Sequence, residues 1–267
     1  THYMAFNANM IANEMFLDSS SLRSSAVSHA KMLGYEVTSA RAPKAIVNVN
    51  LTTDDATKTL AAGTAFTTTV DGVSYQFVTI ADRSAANSGN VVTFDSVDIY
   101  EGTYVIGKSI VDTSNPDQKF TLTDPNADTS TLTVKVQNSS SDTGTTTYTK
   151  ATDITQLNSS STVYYLQEAE RGRFEVYFGD GVVSKALTNG NIVILSYVVT
   201  NKGVANGVST FSSSTAIDGV TDIVITTVSG AVGGAEPETV DSIKLNAPLN
   251  YSAQGRAVTT SDYEVYV

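Results

Sequence analysis

Read for apolar and polar positions, the chain changes period along its length. From residue 1 to about 34 the period is helical: Met4, Ala8, Ile11 and Met15 fall at spacings of four, three and four and make one stripe. Ser19, Ser20 and Ser21 offer N-caps to a second helix with the stripe Leu22, Ala26, Ala30 and Leu33, and Gly34 stands where a left-handed C′ residue is wanted. The pair predicts a helical hairpin or a bent helix. Its stripes need a partner surface: the rest of the chain, each other, or another subunit.

After Pro43 the period becomes two. Val47, Val49 and Leu51 alternate with Asn48 and Asn50, the pattern of a half-buried strand. Residues 66–80 are two strand-like runs around Asp71-Gly72, a dipeptide that supplies the positive φ angles of a tight hairpin. Further strands are expected over 91–100 and 103–111, punctuated by Gly102 and Gly107. Residues 112–161 are the least hydrophobic part; they predict an inserted hairpin module or long loops, with 138–149 as a mobile tip or linker.

From residue 162 strand patterns return. Phe174, Val176 and Phe178 mark a buried face opposed by Glu175 and Tyr177, and Arg171-Gly172 separates this run from VYYLQ to make a hairpin. Residues 191–199 are apolar on both faces and predict a central strand, and 222–228 predict another. The tail from 237 reverts to helix: Pro237 at N1, then Val240, Ile243 and Leu245, with Thr260, Ser261 or Asp262 capping a further helix. The fold class is α+β, mainly β: an antiparallel β body between an N-terminal helical hairpin and a C-terminal helical segment. The expected segments are 1–43, 44–111, 112–161, 162–232 and 233–267. A start inside a helical pattern and an apolar end predict a piece of something longer.

Composition narrows the function. The 37 Thr and 30 Ser are a quarter of the 267 residues, and Thr suits solvent-facing strand positions. A formal charge of −11 with no basic cluster disfavours nucleic acid and anionic lipid as partners, and no stretch approaches the ~20 apolar residues of a membrane helix. Zero Cys removes thiolate chemistry and zinc–thiolate sites, and the two histidines, His2 and His29, leave little for His-based catalysis.

Four strings nevertheless call for testing. Asp124, Asn126 and Asp128 resemble the start of a calcium loop, but Thr129 stands where Gly is needed and Lys135 where a bidentate Glu is needed, so an Asx-rich turn is the reading. Phe178-Gly179-Asp180-Gly181 has the glycines of a phosphate cradle but an Asp that repels the anion, so Gly179, Asp180 and Gly181 are read, like Gly72, as a structural turn with positive φ. Asp54-Asp55 and the pair Glu236 and Glu238 default to solvated charge, the latter two also suiting a helix N-terminus. No catalytic, cofactor-binding or metal-ligating residue is assigned.

The segment 233–267 carries a pattern of another kind: Gly233, Gly234, Ala235, Pro237 and Glu238, then Ala247-Pro248, then Gln254, Arg256, Ala257, Val258 and Thr259, then Asp262-Tyr263. It resembles the baseplate J-like wedge proteins of contractile-tailed bacteriophages. LRSSAVSHAKMLGYEVTSARAP (22–43) and STVYYLQEAERGRFEVYFGDGVV (161–183) look like stretches of the larger inner-ring wedge protein, in the right order along the chain. The resemblance implies a virion structural subunit, not an enzyme, assembled in the host cytoplasm into the tail baseplate. Its implied partners are another copy of itself, a second wedge protein and other baseplate and hub-proximal tail proteins, together building the inner ring around the hub. Met4, Ile11, Met15, Phe16, Leu22, Ile243 and Leu245 are the expected interface residues, with apolar faces rimmed by Asn and Ser. The rival from another class is a secreted carbohydrate-binding or adhesion β module, which the acidic, Thr-rich, Cys-free strands also fit.

Overall fold

The alternation that opens at Lys44 is realised as a long strand whose inward residues are shut from water. In a computed structural model, described here for residues 2–115, 118–152, 157–213 and 215–253, β1 (Lys44–Thr52) buries Ala45, Val47, Val49 and Leu51 completely. It is flanked on both sides. β14 (Ile223–Val232) pairs with one edge and β6 (Val91–Glu101) with the other, both antiparallel. The sheet continues through β4 (Val73–Val78) to β3 (Ala65–Val70), while β2 (Thr57–Leu60) and β5 (Arg83–Ser88) attach alongside β6. Asp71 and Gly72, at φ 49° and 82°, close the β3–β4 hairpin with Val70 opposite Val73, as a two-residue turn with both central φ positive requires. Phe66, Phe77, Phe94 and Ile99 fill the inner face, covered by Val208, Phe211, Ile217 and Val220 of the segment before β14. Each side chain fully buried here contributes roughly 1.5–3 kcal/mol of transfer free energy.

A second sheet runs β7 (Thr103–Ile110), β13 (Ile192–Val199), β9 (Ala127–Gln137), β10 (Thr145–Lys150), β11 (Val163–Glu168), β12 (Phe174–Phe178), β8 (Phe120–Thr121). The doubly apolar β13 is an inner strand paired with β7 and β9, and both its faces pack: Val193, Leu195 and Tyr197 on one side in the core of this sheet, Val198 on the other against Ala42 and Val78. Two expectations change. Half of the run expected as a mobile tip is strand: β10 pairs with β9 and buries Tyr148 among Phe120, Phe174 and Val136, so one aromatic residue anchors an otherwise Thr-rich stretch. The body is also not wholly antiparallel, because β10 and β11 share a short parallel ladder at Thr149–Val163 and Lys150–Tyr164.

The sheets are joined where β6 turns into β7. Gly102 sits at φ 126°, and a Cβ there would lie 2.1 Å from the Val199 carbonyl oxygen, so only glycine fits. Beside it Glu101 is fully buried. Its carboxylate accepts from Thr200 Oγ1 (2.7 Å), Asn201 Nδ2 (2.7 Å) and Asn201 N (2.9 Å), which offsets the cost of taking the charge out of water.

At the ends of the body stand three helices: α1 (His2–Glu14), α2 (Arg23–Met32) and α3 (Val240–Ala253). α3 begins three residues after Pro237, not at it. Thr239 caps it by accepting from Ser242 N (3.2 Å), and the helix runs through Pro248 instead of ending there. Thr260, Ser261 and Asp262 lie outside the described residues. No described helix is long and apolar enough to cross a membrane.

Candidate interaction surface

Three alanines and no internal Gly or Pro make residues 2–14 a helix, and between Tyr3 and Asn13 no side chain is charged. Nothing in the described chain covers it. Tyr3 is 78% exposed, Met4 76%, Phe6 67% and Ile11 66%, and in the turn that follows Met15 and Phe16 are 63% and 67% exposed. The apolar residues also exceed the predicted stripe, since Tyr3, Phe6 and Met10 point away from the Met4–Ala8–Ile11 line. So large an exposed apolar surface stands out in a chain otherwise rich in Ser and Thr.

The elbow between α1 and α2 is built from polar groups. Ser19, Ser20 and Ser21 do not cap α2 by their side chains; Leu22 is the N-cap residue and makes no side-chain cap. Glu14 does this work from the previous helix, accepting from Ser21 N (2.9 Å), Ser21 Oγ (2.7 Å) and Leu22 N (3.3 Å). The Ser21 hydroxyl, then the Ser21 amide and the Ser25 hydroxyl, hold the Glu14 carboxyl down to about 2. His29 Nε2 lies 3.0 Å from the Glu14 carbonyl oxygen, so this histidine ties the elbow together. His2 is placed only by its backbone, as the first residue of α1.

α2 and α3 pack on one another through small residues. Ala26, Val27 and Ala30 meet Ile243 and Ala247, all buried, with Leu33 and Val240 at the margin. Gly34 closes α2 at φ 74°: its amide donates to Lys31 O (3.0 Å) and that of Tyr35 to Ala30 O (2.9 Å), a Schellman end. Of the expected interface residues, Ile243 is therefore withdrawn, since it is sealed inside the chain against α2. Leu22, at 45%, and Leu245, at 65%, remain exposed.

Glu238 organises the base of this layer. Its carboxylate accepts from Tyr35 OH (2.8 Å), Ser242 Oγ (2.9 Å), Asn246 Nδ2 (3.1 Å) and Thr38 N (3.2 Å), a role the helix dipole alone does not explain. Burial, then the bond to Glu238, pushes the Tyr35 hydroxyl up to about 12. Arg23 grips Glu168 with two bonds of 2.7 Å while donating to the Glu238 carbonyl. Glu236 pairs with Lys202 at 2.5 Å. Sequence reasoning missed Glu14, Arg23 and Glu168. A capping glutamate contributed by the preceding helix and an ion pair 145 residues apart leave no local pattern to find.

The chemical strings are structural. Asp124 Oδ1 accepts from Asn126 N (2.8 Å) in an Asx turn, and buried Asp128 accepts from Ala42 N (2.8 Å) and Ser130 N (2.9 Å), tying β9 to the start of β1. In Phe178–Gly181 only Gly181 has positive φ (89°). Gly179 is required for close approach, since a Cβ there would lie 1.9 Å from Ser184 Oγ. Asp180 accepts from Val182 N (2.9 Å), and these backbone bonds lower its pKa. Asp55 pairs with Lys58 at 2.6 Å. Glu175, expected on the outer face, is buried beside Tyr177 and 3.5 Å from Lys119. Among the described residues no group of three His, Asp or Glu side chains is placed to hold a metal.

Residues 109–208, which supply β8 to β13, match the family described as Bacteriophage baseplate wedge protein gp6, third domain. Over the whole chain the sequence is 28% identical to the baseplate wedge protein gp6 of Enterobacteria phage T4, in an alignment of 299 positions that takes in 43% of that protein. A chain in the cryo-EM structure of the anti-feeding prophage (AFP) baseplate, 6-fold symmetrised, is 14% identical, with a TM-score of 0.33 over 98% of this chain and 48% of that one. The chain spans less than half the length of the relatives it matches. The first two matches bear out the resemblance to baseplate wedge proteins read from 22–43, 161–183 and 233–267.

Proposed function

We propose that this chain is a structural subunit of the baseplate wedge in a contractile phage tail, residing in the virion and gripping its neighbours through α1 and the elbow that follows. In this reading the segments 44–111, 112–161 and 162–232 form the frame and the helical segments at either end supply contact surfaces. The neighbours are a second copy, a second wedge protein and other tail proteins near the hub. The observation that carries the proposal is α1 itself: a helix with no charged side chain between Tyr3 and Asn13, whose Met4, Ile11, Tyr3 and Phe6 are all exposed, followed by exposed Met15 and Phe16.

The rival sugar-binding reading loses its support from the same side chains. Its platform needs exposed aromatic rings on the strands, whereas the most exposed rings among the described residues, Tyr3, Phe6, Phe16 and Tyr251, belong to the helices and the elbow. Sedimentation velocity across the micromolar range tests the proposal. The chain is expected to self-associate, and Met4→Asp with Ile11→Asp is expected to abolish association without lowering the melting temperature. A wild-type chain that stays monomeric at every concentration would refute self-association through α1.

A further inference from the structure

The helical layer does not share a core with the sheets. Among the described residues its apolar cluster lies between 17 and 37 and between 240 and 247: Ala26, Val27, Ala30 and Val37 against Ile243 and Ala247, bordered by Leu17, Leu33, Tyr35 and Val240. Where this layer faces β11 and β12 the two surfaces leave grooves between them. Three cavities of about 780, 530 and 240 Å³ lie along that junction, one beneath Leu22 and Val240, one between Val27 and Tyr177, one between Val37 and Leu166. All three are open to solvent, so the layer and the sheets meet here across grooves and not through a continuous core.

What spans it is polar. Arg23 of α2 bonds Glu168 of β11 through Nε and Nη2, both at 2.7 Å, and Lys150 of β10 bonds Glu36 at 2.5 Å. The first pair has a buried side: the Glu168 side chain is 3% exposed, whereas Glu36 and Lys150 are well exposed. The chain passes between layer and sheets twice, at one place. Arg41 and Ala235 exchange backbone bonds of 3.0 Å, Gly233 turns at φ 87°, and Gly234 lies so close to Pro43 that a Cβ would come within 2.5 Å of its ring. The two backbone segments thus cross side by side, one of them carrying paired glycines.

We propose that the helical layer swings as a rigid unit about the 41–43 and 233–235 crossing, with the Arg23–Glu168 ion pair as its latch. While the latch is closed, the Glu168 carboxylate is neutralised in place. When it opens, the carboxylate hydrates and the grooves widen, while the apolar cluster of the layer stays within the layer. Removing one partner of a buried pair leaves an uncompensated charge, which favours opening. The layer also carries α1, so the swing re-aims the exposed apolar helix relative to the frame.

The chain has no cysteine, so spin labels can be placed at chosen pairs without background. Met32 on α2, Leu245 on α3 and Ile106 on β7 are all exposed and serve as sites. Pulsed dipolar spectroscopy on the full chain is expected to show the Met32–Ile106 distribution broadening and shifting on Arg23→Met, and again on Glu168→Gln, while Met32–Leu245 is unchanged. Two results overturn the proposal. An unmoved Met32–Ile106 distribution in both variants means the junction is rigid; broadening of Met32–Leu245 as well means the ion pair merely holds the layer folded.

Discussion

The two helices at the head of the chain carry apolar stripes of nearly the same spacing and meet opposite surroundings. Met4, Ala8 and Ile11 on α1 face solvent, while Ala26 and Ala30 on α2 are sealed against Ile243 and Ala247 of α3. Periodicity is the same property in both, so it does not decide which stripe finds its partner inside the chain. Residue size does: the buried stripe is built on alanines that let two helix backbones approach, and the exposed one on Met4 and Ile11, whose larger side chains carry more apolar area. A small-residue stripe is satisfied by a neighbour already tethered nearby. The bulky stripe finds no partner among the described residues.

Truncation tests the contrast most severely. Ile243→Ala is expected to cost about 2–5 kcal/mol, the cost of emptying a fully buried aliphatic site, whereas Ile11→Ala in the monomer changes stability by no more than about 0.5 kcal/mol. Urea titrations of both variants in dilute solution measure the difference. Comparable losses would mean that α1 is packed within the chain, and the comparison would collapse.

Overpacking sharpens it from the other side. Ala30→Leu forces added volume between α2 and α3 and is expected to cost about 1–3 kcal/mol, while Ala8→Leu on α1 is expected to be neutral or to strengthen association. This contrast also marks where sequence reading succeeds. Period-two runs identified β1 and the hairpins at Asp71-Gly72 and Arg171-Gly172, and a run apolar on both faces identified β13, because each is encoded by neighbouring residues. Ile243 was misjudged as an interface residue, and Tyr148 was lost in a polar run, because their partners lie far along the chain. The same limit hid the Arg23–Glu168 pair and the Glu238 hub, although Glu238 stood inside the Gly-Gly-Ala motif that betrayed the family resemblance.

The end of α2 gives a smaller effect with a clean cause. An added Cβ at Gly34 meets nothing within 4 Å, so Gly34→Ala is opposed only by the positive φ of 74°. It is expected to cost about 1 kcal/mol and to loosen the Tyr35–Ala30 closure, seen as faster amide exchange at Tyr35. α1 has no counterpart to this stop, since after Glu14 the chain turns through Met15 and Phe16 with both side chains in water.

The smallest effect falls on the one element the two helices share, the Glu14 elbow. Bonds from Ser21, first its hydroxyl and then its amide, bring the carboxyl down to about 2 from an ordinary value of 4.5. A carboxylate whose pKa is lowered by folding contributes stability that is fully present above the ordinary value and is lost as pH falls toward the folded one. The elbow is therefore expected to hold at neutral pH and to loosen only between about pH 4.5 and 2, with the exposed position of the group keeping the change in overall stability slight. The readout is local: amide shifts of Ser21 and Leu22 followed by NMR through that window. In Glu14→Gln the acid step at these two amides should vanish while the Tyr35–Ala30 closure at the far end of α2 is untouched. A step that persists in the variant would move the cap to another group and leave the direction of α1 without its fixing contact.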